Sequence, residues 1–211
     1  MSDMMQAIAE NIYQGDDTQV AALVRKALAQ DTTPEQVLAQ GLIAGMDQVG
    51  RDFKAGDLFV PEVLVAARAM SAGMLILRPL LAERGAPSVG KYVIGTVRGD
   101  LHDIGKNLVR MMLEGAGFEI VDLGTDVPPA AFVDAVRTHR PSLVGMSALL
   151  TTTMTQMKAT IDALEEAGLR DTVKVMIGGA PVTADYAQRI GADAYAPDAA
   201  TAVDVARELA A

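Results

Sequence analysis

The stretch Tyr92-Val93-Ile94-Gly95-Thr96-Val97-Arg98-Gly99-Asp100-Leu101-His102-Asp103-Ile104-Gly105-Lys106-Asn107 decides the fold. It opens on a short apolar, β-branched run, the pattern of a strand buried on both faces. A polar loop follows, carrying a histidine between two aspartates, and a helical pattern begins at Ile104. The same alternation recurs downstream. Strand-like runs lie at 92–97, 118–123, 143–147, 173–177 and, weakly, 194–195. Helical stretches fall between and after them, at 104–114, 129–138, 153–167, 184–190 and 199–209. Buried strands alternating with helices predict a parallel sheet covered on both faces, a flavodoxin-like (Rossmann-type) domain of five strands. In such sheets ligands bind beyond the carboxyl ends of the strands, so functional residues are expected just after the first, third and fourth.

Upstream of this domain the chain reads as helix throughout. Asp16 or Asp17 can cap a segment with apolar positions at Val20, Leu23, Val24, Ala27 and Leu28. Thr33-Pro34-Glu35 is a strong helix start, a capping hydroxyl followed by proline at the first helical position. From there Leu38, Leu42, Met46, Val49 and Phe53 recur on one face. Pro61 opens another helix with Val63, Ala67, Met70, Met74, Leu77 and Leu81 inward, and Pro79 is placed to kink its last turn. With the opening segment to Tyr13 this predicts a four-helix bundle over 1–85, a Gly/Pro-rich linker over 86–90 and the α/β domain over 91–211. The fold class is α + α/β.

Composition narrows the function classes. The 211 residues are 50% hydrophobic and 21% charged, enough apolar material for true cores. A formal net charge of -9 disfavours nucleic acid and anionic membrane surfaces as partners. The absence of cysteine excludes disulfides, thiolate metal sites and cysteine nucleophiles. Met1-Ser2-Asp3-Met4 carries no basic region ahead of an apolar stretch, and the apolar run around 74–77 is too short to span a bilayer. No signal peptide, no membrane span and a cytoplasmic location are therefore expected.

Three features fall at the expected strand ends. The first is His102 with its flanking carboxylates. A ligating imidazole needs a carboxylate to orient it and tune its basicity, and Asp100 or Asp103 can supply one. Gly105 leaves room beside that loop. The second is Ser147-Ala148-Leu149-Leu150-Thr151-Thr152-Thr153, a run of hydroxyls in which Thr153 also suits a helix cap. The third is Gly178-Gly179, where a bulky group could approach the backbone closely. Each is ordinary alone; a lone histidine in an α/β domain is more often structural. Their meeting on the one edge where this fold places ligands makes them a site. His139, in the polar stretch before Pro141, is read as surface.

Asp100-x-His102-x-x-Gly105, Ser147-x-Leu149 and Gly178-Gly179 together resemble the three-part signature of cobalamin-binding domains of the methionine synthase and methyltransferase corrinoid protein type. The resemblance covers nearly the whole chain. It implies that cobalamin, as methylcobalamin or cob(I)alamin, binds with its dimethylbenzimidazole tail off the cobalt and His102 in its place as the metal ligand. It further implies Asp100 as the partner of His102 and Thr153 as third member of a relay, where methionine synthase has serine. Gly105, Ser147, Leu149, Gly178 and Gly179 would line the slot for the tail, with Asp103, Ile104 and Thr151 also on the cofactor. The stretch from Met46 to Pro61 looks like the family's helical cap, which implies that Phe53 and Val60 face the upper side of the corrin.

The resemblance is best to stand-alone corrinoid proteins, not catalytic alone, that take a methyl group from methanol, a methylamine, glycine betaine or an aryl methyl ether. Expected partners are a substrate-specific methyltransferase, a second methyltransferase acting on tetrahydrofolate or coenzyme M, and a reductive activase. A proton on the Asp100–His102 pair would weaken the ligand and favour four-coordinate cobalt, and the stretch around 85–90 would be the hinge on which the cap swings. The alternative is a cobalamin-dependent sensor or regulator. That reading needs a DNA-binding segment, and the bundle has no basic recognition helix.

Overall fold

The computed structural model describes residues 3–84 and 89–211. Most of the expected linker and hinge, residues 85–88, lies outside the described residues. The chain divides into two compact units, Met1–Pro87 with Gly115–Gly117, and Ser88–Glu114 with Phe118–Ala211.

The first unit is helical: α1 (Asp3–Gln14), α2 (Asp17–Ala29), α3 (Pro34–Val37), α4 (Ala44–Ala55) and α5 (Val60–Glu83). Of the two candidate caps for α2, Asp16 is the one used, its Oδ1 accepting the Gln19 N–H at 2.9 Å. Thr33 and Gln36 form a reciprocal capping box at the start of α3, at 3.3 and 3.1 Å, a device contributing about 1 kcal/mol. The third expected helix is one continuous stretch interrupted by a π-helical segment, Leu38–Ile43, that joins α3 to α4. Leu42, Met46 and Val49 are buried as the spacing predicts, while Leu38 and Phe53 are half-buried.

The long helix α5 runs through Pro79 to Glu83. Val63, Ala67, Met70 and Leu77 are buried in the bundle, with Met74 and Leu81 half-buried. Its 24 residues include an 18-residue window of mean hydropathy 1.6, long and apolar enough by length and composition alone to cross a membrane. The short run at 74–77 understates this helix, because alanine, valine and methionine spread among few charges raise the average. Within the fold α5 is a bundle helix, and its exposed side carries Arg68, paired with Asp17 of α2 at 3.0 Å.

The second unit contains β1 (Lys91–Thr96), β2 (Glu119–Asp122), β3 (Leu143–Ser147), β4 (Lys174–Gly178) and β5 (Ala194–Ala196). Between and after the strands come α6 (Ile104–Gly115), α7 (Pro129–His139), α8 (Thr155–Glu166), α9 (Ala184–Ile190) and α10 (Ala199–Ala210). All strand pairs are parallel, in the order β2-β1-β3-β4-β5. Beyond Lys91 every residue of β1 is buried, and β3 is buried up to Ser147, as expected of central strands covered on both faces. Phe132, Val144, Met157, Ile161, Val175 and Ile177 form part of the core beneath them.

This strand order fixes where the site must lie. The chain leaves β1 toward β2 on one side, and β3 follows on the other, so the connections after β1 and β3 part company and open a crevice between them. Register aligns the strand ends there: Thr96 pairs with Ser147, and Ser147 with Gly178. The loops after β1, β3 and β4 thus emerge side by side.

Candidate functional site

Asp100 is the centre of the site. It is fully buried at the crevice, and its two carboxylate oxygens serve different loops. Oδ1 lies 2.7 Å from Nδ1 of the His102 ring and accepts the His102 backbone N–H at 3.1 Å. Oδ2 accepts the Thr153 hydroxyl at 2.7 Å and the backbone N–H groups of Leu149 and Leu150 at 2.8 and 3.3 Å. One carboxylate therefore ties the loop after β1 to the loop after β3, across 53 residues of sequence.

Burial alone pushes the Asp100 carboxyl up. The Leu149 N–H, the His102 ring, the Thr153 hydroxyl and the His102 N–H overcome that cost and hold it well below the usual carboxylate range. An ionised carboxylate only accepts, so Nδ1 of His102 donates to it, and in the neutral ring Nε2 keeps its lone pair. The His102 side chain is 51% exposed. The result is a half-exposed imidazole, oriented through one nitrogen and open at the other, the arrangement used for a metal-ligating histidine.

Of the two carboxylates that could serve His102, Asp103 does not. Its side chain accepts from Asn107 Nδ2 at 3.0 Å, one turn along α6. Thr153 is not a helix cap either: α8 begins at Thr155, and the Thr153 hydroxyl is turned to Asp100 and the Leu150 carbonyl, the latter at 2.9 Å. Thr151 is exposed in the same turn. Ser147 ends β3 half-buried, its carbonyl accepting the Val97 N–H at 3.0 Å. Gly178 ends β4, its carbonyl accepting the Ala148 N–H at 3.2 Å, and Gly179 follows with φ of 128°. Gly105 lies exposed in the first turn of α6, and a Cβ added there meets nothing within 4 Å. In the helical unit Phe53 is half-buried near the end of α4, and Val60 begins α5 at 36% exposure beside the more exposed Phe59. Val60 is thus not bundle core. His139, at the end of α7, is exposed.

Ile104, expected from the sequence, is 77% exposed, and Leu149, also expected, is 42% exposed. Sequence reasoning misses their neighbours Leu101 and Leu150, 73% and 43% exposed on the same two segments that meet at Asp100. Large apolar side chains in otherwise polar loops are the available signal. Thr96 is fully buried, and its hydroxyl donates to the His102 carbonyl at 2.9 Å. Lys106 is buried on α6, its ammonium donating to both oxygens of Asp122 at the end of β2, at 2.7 and 2.6 Å.

These residues suit a large, mostly apolar disc bearing a metal. Nε2 would be available to ligate the metal, the exposed leucines and Ile104 would offer apolar contact around it, and a Cβ at Gly105 would meet nothing within 4 Å. A fold of this order with such a histidine fits a cobalamin-binding protein. The match to known families agrees: a B12 binding domain model covers residues 90–204, and a second B12 binding domain model covers residues 4–78. The dimethylamine corrinoid protein of Methanosarcina barkeri is 45% identical over 208 residues, 98% of this chain and 97% of that one. Trimethylamine corrinoid protein 1 of Methanosarcina acetivorans is 45% identical over 196 residues, 92% of this chain and 91% of its own. Among solved structures, the methanol:cobalamin methyltransferase complex MtaBC of Methanosarcina barkeri superposes with a TM-score of 0.88 at 31% identity, covering 99% of this chain and 80% of that one. A cobalamin-binding protein from Desulfitobacterium hafniense DCB-2 gives 0.80 at 37% identity, covering 97% and 98%. The chain belongs to the B12-binding corrinoid proteins of methyltransferase systems. Its cofactor is cobalamin.

Proposed function

We propose that this protein is a methyl carrier that binds cobalamin with the tail off and His102 on the cobalt, and that it serves two methyltransferases in turn. One is specific for the methyl donor; the other delivers the methyl group to tetrahydrofolate or coenzyme M. The observation that carries the reading is the His102 imidazole held at Nδ1 by the buried, ionised Asp100, with Nε2 left free. The cobalt supplies the nucleophile and the bond that carries the methyl group. The chain itself orients the ligand, through Asp100, and relays hydrogen bonding to the loop after β3, through Thr153. Gly105, Ser147, Leu149, Gly178 and Gly179 are the residues proposed to flank the displaced tail, with Asp103, Ile104 and Thr151 close to the cofactor. Phe53 and Val60 are proposed for the upper face of the corrin.

The donor is proposed to be a methylamine, because the 45%-identical relatives are dimethylamine and trimethylamine corrinoid proteins. The loading partner is then a methyltransferase, as in the solved methanol complex. A reductive activase and a cytoplasmic location complete the reading.

The ligand assignment is tested by electron paramagnetic resonance of cob(II)alamin in protein labelled with 15N-histidine. An imidazole ligand splits the signal into doublets, the 14N of the tail into triplets. Doublets are expected from the wild type. His102→Ala is expected to abolish them and to weaken cobalamin binding about ten- to a hundredfold. Doublets that survive in His102→Ala would move the ligand to His139 and defeat the proposal. The donor is tested by mixing reduced holo-protein with each methylamine and its methyltransferase. A visible spectrum unchanged with all of them would remove this donor class.

A further inference from the structure

The loop that carries His102 is held from outside by a residue no motif contains. Asp126 lies in the connection between β2 and α7, 27 positions from Gly99, and it grips the loop on both sides of Asp100. Its carboxylate Oδ1 accepts the Gly99 N–H at 2.6 Å, and its own N–H donates to the Asp100 carbonyl at 2.9 Å. To make both contacts Asp126 adopts φ of 54°, a left-handed conformation rare for a residue with a side chain and best tolerated by aspartate, asparagine and glycine. Strain of this kind persists where the surroundings hold it and clusters at functional sites.

The connection itself is anchored at both ends. At its start, Asp122 takes the buried Lys106 ammonium and the Gly124 N–H, and the Gly124 carbonyl accepts the Thr96 N–H at 2.9 Å. At its end, Val127 donates to the Thr96 carbonyl at 2.9 Å and bridges to Val97. Thr96 in turn donates its hydroxyl to the His102 carbonyl. Asp126 is thus a fixed arm, and the peptides it fixes flank the one side chain that aims the imidazole.

Resting on the reading of His102 as cobalt ligand, we infer that Asp126 is a positioning residue that sets the aim of His102 by clamping the backbone around Asp100. Its carboxylate accepts from Gly99 and not from the imidazole; it acts through Gly99 and Asp100. The requirement is an oxygen acceptor on a residue that accepts the left-handed conformation. Asp126→Asn keeps both. Asp126→Gly keeps the conformation and loses the acceptor, and because Asp126 is exposed and glycine suits this φ, the fold is expected to stand.

Two measurements on these variants test the inference. With 15N-histidine label and cob(II)alamin, Asp126→Gly is expected to lose most of the doublet splitting and to bind cobalamin about tenfold more weakly, while Asp126→Asn resembles the wild type. In the cofactor-free protein, the Gly99 amide is expected to exchange with solvent at least about tenfold faster in Asp126→Gly and at the wild-type rate in Asp126→Asn. Splitting and affinity in Asp126→Gly equal to wild type would overturn the inference, as would an Asp126→Asn variant as impaired as the glycine. A wild type without doublets would overturn the ligand assignment instead, and the Gly99 exchange rates would then decide whether Asp126 clamps the loop.

Discussion

Replacing Asp100 by alanine is expected to destabilise the apo-protein by about 3 kcal/mol and to weaken cobalamin binding ten- to a hundredfold. The carboxylate accepts from the His102 ring and N–H, the Thr153 hydroxyl, and the Leu149 and Leu150 N–H groups, all from a fully buried position. Hydrogen bonds to a charged acceptor contribute about 1.5–3 kcal/mol each, but they are not additive here. Thr153 retains the Leu150 carbonyl, and the half-exposed His102 ring can turn to water. The energy of burying the carboxylate is also recovered on its removal. The net cost is therefore nearer that of one charged hydrogen bond than of five. The effect on binding is the larger signature, since an imidazole released at Nδ1 loses both its orientation and its enforced tautomer. Chemical denaturation gives the first quantity and cobalamin titration the second; wild-type affinity in Asp100→Ala would refute the role.

The same carboxylate predicts a pH dependence. Its pKa in the folded protein lies below the unfolded value of about 3.9, because its hydrogen bonds favour the charged form. A depressed pKa contributes stability that is complete above the unfolded value and is lost as pH falls toward the folded one. The gap in stability between wild type and Asp100→Ala is thus expected to close progressively as pH falls below about 4. A gap that widened below about 4 would mean the carboxyl is buried protonated.

How much of this was legible follows from the range of the interactions involved. The strands and helices of the α/β unit write their period into consecutive residues, so β3 and α9 agree with their expected spans and the other elements differ by a single residue at one or both ends. The exception is the start of α8, two residues late, where Thr153 stays outside the helix to reach Asp100. That contact joins residues 53 apart, and nothing local distinguishes a hydroxyl that caps a helix from one that binds a distant carboxylate. The choice between Asp100 and Asp103 was open for the same reason. Both neighbour His102 in sequence, but the Asp103 carboxylate faces forward to Asn107 on α6, while Asp100 turns back to the ring. Asp126 and Lys106 were illegible because each acts on a partner distant in sequence, Asp126 on the loop after β1 and Lys106 on the end of β2. The π segment in 38–43 left the apolar spacing intact and so gave no sign in sequence. The family resemblance supplied roles for His102, Asp100 and Thr153, and the geometry supplies the physical reason they meet.

The glycines read as one slot separate into two kinds, and the second large prediction turns on that difference. At Gly179 a Cβ would overlap the Ala148 carbonyl oxygen and stand 2.9 Å from its carbonyl carbon, on a φ of 128°. Both obstacles are backbone, so no side chain can swing aside; the ends of β3 and β4 must part. Gly179→Ala is expected to cost about 3–5 kcal/mol, measured by chemical denaturation of the cofactor-free protein. The fold alone demands this glycine, so its presence says nothing of a ligand. Gly105 is the opposite case. Its Cβ would meet open space in the first turn of α6, where alanine is the better helix former, so Gly105→Ala should leave apo stability unchanged or raise it by up to about 1 kcal/mol. Any loss of cobalamin affinity in that variant therefore reports the cofactor itself occupying the space. A stable Gly105→Ala protein that binds cobalamin as tightly as wild type would place the tail elsewhere, and a Gly179→Ala protein of wild-type stability would show that the two strand ends can separate.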